Sequence, residues 1–238
     1  MTLGRDDPHA GDRDAWAGIE SAPLFTGISS EEFRRIAAAA RLKRFARGEM
    51  LYWEGEPVEQ ALLLISGLVK ITQVGQKSME MILRLSAPGD VLDAVGLFSA
   101  GRHYTTARAM RGCVALAWPA GTFKDLVERL PVLHQNMIRF ICGYLQDLEQ
   151  RFRELATERV ASRVARQLIR LQEQAGVAQN REVEIGVSLE GLAQMTGTTL
   201  YTVSRLLSAW ETQGLVICRR GCLTINDVRT LRKVFEEN

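Results

Sequence analysis

The most constraining feature of this chain is a stretch from about Arg41 to Trp118 in which short apolar runs alternate with glycines. The runs are Met50–Trp53, Ala61–Ile65, Leu68–Ile71, Met79–Leu85, Thr105–Met110 and Cys113–Trp118. Gly48, Gly55, Gly67, Gly75, Gly89, Gly96, Gly101 and Gly112 punctuate them. Runs of strand length at a spacing of about 8–12 residues, separated by turn residues, predict a small all-β barrel or roll. Ser66-Gly67 between two runs reads as a tight turn.

The pattern changes on both sides of this stretch. Before it, Ser29 followed by Glu32 forms a capping box, and Phe33 and Ile36 follow at helical spacing. After it, Pro131 suits the first turn of a helix. Met137, Ile141, Tyr144, Leu148 and Leu155 then form one helical stripe, as in a short coiled-coil seam between two copies of the chain. Packing of the stripe on the roll is the alternative. A further helix is expected from Thr157, as its cap, through Val160, Val164, Leu168 and Leu171 to about Gly176. Residues 177–186 read as a loop with a short strand. The chain of 238 residues is thus α+β, divided into a flexible leader (1–20), a β-roll (21–130), a dimerisation helix (131–156) and a C-terminal domain (157–238).

Ser188 to Ile225 carries the chemistry. Ser188 caps a short helix with Leu189, Leu192, Ala193 and Met195, its capping box left incomplete by Gly191. Gly197 suits the left-handed position of an inter-helix turn. Thr199 caps the next helix, Leu200 to about Gln213. Val203, Leu206, Leu207 and Trp210 form its buried stripe; Tyr201, Thr202, Ser204, Arg205 and Ser208 lie on the other side. Helix, glycine turn, helix with polar side chains near the second N-terminus is the geometry that enters the major groove. Gly214 ends the helix. Leu215–Cys218 and Cys222–Ile225 then read as two strands around Arg219-Arg220-Gly221, a wing with two cations for phosphates.

Charge agrees once it is resolved along the chain. The total is only +2. Residues 188–235 hold six basic and three acidic residues, a net of +3, which leaves about −1 for the rest. The tail is the basic pole.

In the order and spacing of several fragments the sequence resembles the cyclic-AMP receptor protein/FNR (CRP/FNR) family of bacterial transcription regulators. The fragments are Leu24-Phe-Thr-Gly-Ile-Ser29, Phe45-Ala-Arg-Gly-Glu-Met-Leu51, Leu64-Ile-Ser-Gly-Leu-Val-Lys70, Pro88-Gly-Asp-Val91 with Gly96-Leu-Phe98, and Gly197-Thr-Thr-Leu-Tyr-Thr-Val-Ser-Arg-Leu-Leu207. The resemblance runs from Leu24 to Phe235. It implies an N-terminal double-stranded β-helix (jelly roll) like that of cyclic-nucleotide-binding domains, a long dimerisation helix and a C-terminal winged helix-turn-helix. It also implies a homodimer on a palindromic DNA operator, RNA polymerase as a partner, a small-molecule effector acting through the hinge near Leu155–Arg159, a cytoplasmic location and no membrane.

By resemblance, Arg205 contacts guanine, Ser204 matches FNR-like members, and Thr199 and Thr202 touch phosphates. Tyr201 stands where a glutamate is usual, so the operator differs from the familiar one. The effector segment is Asp93, Ala94, Val95, Arg102, His103, Tyr104 and Thr105. Asp93-Ala94 replaces the Gly-Glu pair for the ribose, and Tyr104-Thr105 replaces the Arg-Ser pair for the phosphate. Arg102 and Arg108 flank the spot out of register. An anionic phosphate needs a cationic partner, so the segment argues against cyclic AMP. His103 and His134 are the candidate axial ligands if the effector domain holds haem.

Other classes fare worse. Cys113, Cys142, Cys218 and Cys222 are scattered, which argues against an iron–sulfur cluster and for a reducing cytosol. Cys218 and Cys222 flank the wing turn and are the candidate redox pair. Cys113 and Cys142 have no visible base and orienter, so no enzyme is expected. A sensor that acts through a protein partner is the alternative function, and it leaves the wing and recognition helix unused. No apolar run approaches the roughly 20 residues that span a bilayer. The acidic start (Asp6, Asp7, Asp12, Asp14) is not a signal peptide.

Overall fold

The computed structural model describes residues 19–20, 22–75, 80–175, 177–179, 182–185, 187–219 and 222–236. Of the expected leader, only Ile19 and Glu20 fall within it. Ile19 is buried in the core, as its apolar side chain demands.

After a 3₁₀ turn at Pro23–Phe25, helix α1 (Ser30–Ala38) starts at the expected capping box: Glu32 N donates to Ser29 Oγ, and Ser29 N donates to Glu32. Eight strands follow: β1 (Arg41–Phe45), β2 (Met50–Tyr52), β3 (Gln60–Ser66), β4 (Val69–Val74), β5 (Glu80–Ser86), β6 (Val91–Leu92), β7 (Thr106–Ala109) and β8 (Cys113–Pro119). They form two four-stranded sheets in the orders β1-β8-β3-β6 and β2-β7-β4-β5. β3 lies antiparallel to β8 from Gln60↔Pro119 to Ser66↔Val114. This is the roll that the glycine punctuation predicts, with the jelly-roll form that the family resemblance implies.

Two helices go beyond the sequence reading, one within the roll and one after it. Helix α2 (Ala94–Phe98) is short. Helix α3 (Ala120–Arg129) fills the gap before Pro131 and buries Phe123 and Val127, one helical turn apart. Trp118 Nε1 donates to Ile36 O at 2.8 Å, tying β8 to α1.

Helix α4 (Pro131–Thr157) is the expected long helix, and α5 (Val160–Ala175) follows it. Thr157 does not cap α5. Its hydroxyl donates back to Arg153 O, so it closes α4. The 177–186 segment holds two strands, β9 (Val177–Gln179) and β10 (Glu182–Ile185). Then come α6 (Leu189–Thr196), α7 (Leu200–Thr212), β11 (Val216–Arg219), β12 (Cys222–Ile225) and α8 (Val228–Glu236). The third sheet runs β11-β12-β10-β9.

The chain forms two compact units. One comprises residues up to Ile71 with Ser86–Leu145, and the other Thr72–Leu85 with Gln146 onward. In the first, Trp118, Leu116, Leu133 and Met137 are buried in one core and Leu64, Val69, Ile71 and Ala115 in another. Met137 is therefore not available to a seam. It points into the core of its own unit, with Ile141 half-buried against it.

In the second unit an ion cluster around the buried Glu154 joins α4 to α5. Arg170 Nη1 donates to Glu154 Oε2 at 2.8 Å, Arg166 Nε lies 3.5 Å from Glu154 Oε1, and Arg166 Nη2 reaches Glu158 at 2.8 Å. Arg166 also lies over the Phe235 ring of α8, at 4.2 Å. The end of β4 and most of β5 fall in this unit, where Arg151 donates to Leu83 O. Ile82 also packs against Gly191 of α6, so closely that its Cδ1 would be 3.4 Å from a Cβ there.

Candidate nucleic-acid interface

The local sequence builds this surface as expected. Gly191 N donates to Ser188 Oγ at 3.0 Å, so Ser188 caps α6. Gly197 ends α6 in the left-handed region at φ +59, and its N–H closes the last turn. A β-carbon at Gly197 would approach Leu155 Cδ2 to 2.8 Å, so the turn needs glycine twice over. Thr199 caps α7 by accepting from Thr202 N at 3.2 Å, and the Thr199 and Thr202 hydroxyls bond each other at 2.9 Å. The hydroxyls of this first turn are thus fixed in place.

α7 buries Val203, Leu207 and Trp210, with Leu206 half-buried. On the opposite side Tyr201, Arg205 and Ser208 are exposed, and Thr202 and Ser204 are half-exposed. Leu200, absent from the expected contacts, is exposed beside Tyr201. Gly214, at φ +73, follows the helix. In the wing, β11 and β12 pair from Val216↔Ile225 to Arg219↔Cys222, and Glu211 of α7 accepts from Cys218 N at 2.9 Å. Arg219 is exposed at the end of β11; Arg220 lies outside the described residues.

The cysteine readings lose ground. The register sets Cys218 opposite Leu223 rather than Cys222, whose side chain lies outside the described residues. Burial, and then the Glu211 charge, push the Cys218 thiol up from its ordinary value. Burial likewise raises the Cys113 thiol, against its contacts with the Leu68 and Arg111 carbonyls. Raised thiols are poor nucleophiles and poor redox groups. Cys142 is exposed on α4.

The expected effector segment is brought together only in part. Asp93 caps α2 in the left-handed conformation, φ +49, and accepts from Gly96 N at 3.1 Å. Its other oxygen lies 2.6 Å from His103 Nδ1, both side chains being buried. The His103 ring stacks on Tyr52, with centroids 4.0 Å apart and planes within 6°. Ala94 is buried, while Val95, Arg102 and Tyr104 are exposed and Thr105 is half-exposed. Arg102 Nη1 is directed to Gly55 O at 2.8 Å.

His103 borders a cavity of about 330 Å³ with Lys43, Tyr52, Glu56, Glu59 and Gln60. No motif marked these neighbours, which come from β1, the end of β2, the β2–β3 loop and the start of β3. A volume near the lower end of the roughly 300–1,000 Å³ typical of ligand pockets and a charged lining do not fit a large apolar macrocycle. Asp93 holds His103 Nδ1 and Tyr52 covers one ring face, which leaves Nε2 as its ligating nitrogen, and His134 is exposed on α4. It is the cavity, by its size and charge, that does not fit haem.

Comparisons with known proteins agree with this geometry. Residues 42–130 match the cyclic nucleotide-binding domain and residues 162–234 the Crp-like helix-turn-helix domain. The chain is 22% identical over 217 residues to the CRP-like cAMP-activated global transcriptional regulator of Mycobacterium tuberculosis, covering 90% of this chain and 97% of that one. It is 25% identical over 218 residues to the cyclic AMP receptor protein of Thermus thermophilus, covering 91% and 98%. Among solved structures, the c-di-GMP-responsive global regulator CLP of Xanthomonas campestris has the same fold, at a TM-score of 0.73, 19% identity and coverage of 84% and 100%. A CRP/FNR-family regulator from Thermus thermophilus aligns at 0.71, with 22% identity and coverage of 82% and 98%. With both domains present in this order, and the roll, long helix and capped recognition helix all in place, the chain belongs to the CRP/FNR family of transcription regulators and carries its helix-turn-helix DNA-binding domain.

Proposed function

We propose that the protein is a homodimeric, sequence-specific regulator that reads a palindromic operator with two copies of α7. The observation that carries this reading is the outward row Tyr201, Ser204, Arg205 and Ser208 on a helix whose first turn is fixed by the Thr199 cap. Residues near the N-terminus of such a helix reach base edges, and two-fold symmetry sets half-sites about 34 Å apart. Arg205 reads guanine O6 and N7. Thr199, Thr202 and the wing cations Arg219 and Arg220 hold phosphates.

The dimer seam runs along α4 through Ile138, Ile141, Leu145, Leu148, Phe152 and Leu155. Their alternating spacing of three and four residues is that of a heptad. All but the half-buried Ile141 are exposed, Phe152 at 73%. This row is shifted from the stripe of the sequence reading: Met137 turns inward, and Tyr144 is half-buried.

The effector is not a cyclic nucleotide. Tyr104 is exposed where the phosphate would need a cation, Ala94 offers the ribose no carboxylate, and the segment's one carboxylate, Asp93, is buried against His103. The effector acts through the Leu155–Arg159 hinge, and the regulator works with RNA polymerase in the cytoplasm. No helix among the described residues is long and apolar enough to cross a membrane.

Selection of binding sites from random duplex DNA tests the reading. A palindrome should emerge, and Arg205→Ala should weaken binding to it by about 1–3 kcal/mol while sparing random DNA. Equal loss on both would remove base reading by Arg205. Mass spectrometry of small molecules released from host-purified protein tests the effector assignment; recovered cyclic AMP would overturn it.

A further inference from the structure

We infer that Tyr201, flanked by Leu200, reads the C5-methyl group of a thymine in each half-site, one or two base pairs from the guanine read by Arg205. The inference rests on the operator-reading role proposed above and assigns it a base.

Leu200 and Tyr201 are the first two residues of α7 and are 51% and 74% exposed. A leucine and an aromatic ring are thus presented together at the helix end that enters a groove deepest. The rest of the row is polar: Ser204 and Ser208 are hydroxyls and Arg205 is a cation. The Thr199 and Thr202 hydroxyls are already engaged with each other. Tyr201 is therefore the residue that makes the row partly apolar.

The major groove has one apolar mark to match it. Guanine, cytosine and adenine edges show acceptors and donors, whereas thymine adds a methyl group. A carboxylate at this position would accept from cytosine N4; a phenol ring instead gains by covering a methyl group. Its hydroxyl keeps the end of the ring solvated, which suits a side chain that stays exposed until DNA arrives.

Spacing fixes where the thymine lies. Tyr201 and Arg205 are four residues apart, on one helix face. A rise of about 1.5 Å per residue separates them by about 6 Å along the helix. Base pairs stack about 3.4 Å apart, so the two side chains address positions one or two steps apart.

The test uses full-length protein and its selected operator. Each thymine is replaced in turn by deoxyuridine, which removes only the methyl group. One thymine per half-site, within two base pairs of the guanine lost as a preference in Arg205→Ala, should matter. Its replacement should weaken binding about fourfold per half-site, the effect of one buried methyl. Tyr201→Phe should keep the discrimination. Tyr201→Ala should lose it, and should select sites without that thymine.

Three results overturn the inference: wild-type affinity indifferent to every deoxyuridine, a Tyr201→Ala protein that selects the same thymine, or a Tyr201→Phe protein weakened equally on all sequences, which marks a phosphate contact. In each case Arg205→Ala tells the two readings apart. If it still loses the operator selectively, only the thymine role has failed; if it binds operator and random DNA as wild type does, operator reading itself has failed.

Discussion

A β-carbon at Gly67 would stand 2.5 Å from Cys113 Sγ and 2.7 Å from Gly112 O, at a φ of +103. The turn between β3 and β4 therefore excludes any side chain both by conformation and by space. Gly67→Ala should destabilise the protein by about 2–5 kcal/mol, adding left-handed strain to overpacking. Urea unfolding of the two proteins measures it, and a loss below about 1 kcal/mol would mean that the turn relaxes freely. Asp93 shows the opposite residue-scale case. It is a non-glycine residue held at positive φ because its carboxylate is bonded on both sides, to Gly96 N and His103. Gly67 was legible as a turn because a Ser-Gly pair between apolar runs is a local signal. The Asp93–His103 pair was not, because nothing local says that two residues ten apart will meet inside the roll.

Among the elements, the junction of α4 and α5 depends on Glu154. Desolvation pushes its carboxyl up, but hydrogen bonds from Arg170 and Gln150 and the charges of Arg170 and Arg166 prevail and hold it below the ordinary carboxylate range. A carboxyl lowered on folding adds stability that is present in full above its unfolded value and is lost as pH falls through its folded value. Removing Glu154 leaves the half-buried Arg170 short of its partner and Arg166 with Glu158 alone, so Glu154→Ala should cost about 1–3 kcal/mol near neutrality. The gap from wild type should narrow as the medium is acidified below the carboxylate range. Thermal unfolding across pH checks both statements; a gap independent of pH would assign the effect to packing alone. Helix starts at this scale were readable from sequence: the Ser29, Ser188 and Thr199 caps each reach only three residues along the chain. The Thr157 cap failed because a threonine hydroxyl can serve a helix ahead of it or behind it, and here Arg153 O was within reach.

For the whole molecule, the proposed dimer depends on the exposed row of α4. Leu145→Glu places a charge at the centre of that row and should convert a dimer into a monomer, measured by sedimentation at micromolar concentration. Operator affinity should fall with it, because a palindrome rewards two linked readers. A variant that stays dimeric and binds normally would place the interface elsewhere. The net charge of +2 is an average over a faintly acidic remainder and a basic tail, so affinity should depend more on paired base contacts than on bulk attraction. By itself the sequence determined what local physics sets: alternating strands and turns, capped helices, a glycine turn, and the outward residues of α7. Tertiary structure decided which of two adjacent apolar residues, Met137 or Ile138, turns into the core. It decided that the end of β4 and most of β5 fall with the C-terminal helices, and which distant charges meet at Glu154. Those choices compare burial and desolvation over contacts between residues far apart in the chain, and helical or strand periodicity carries no record of them.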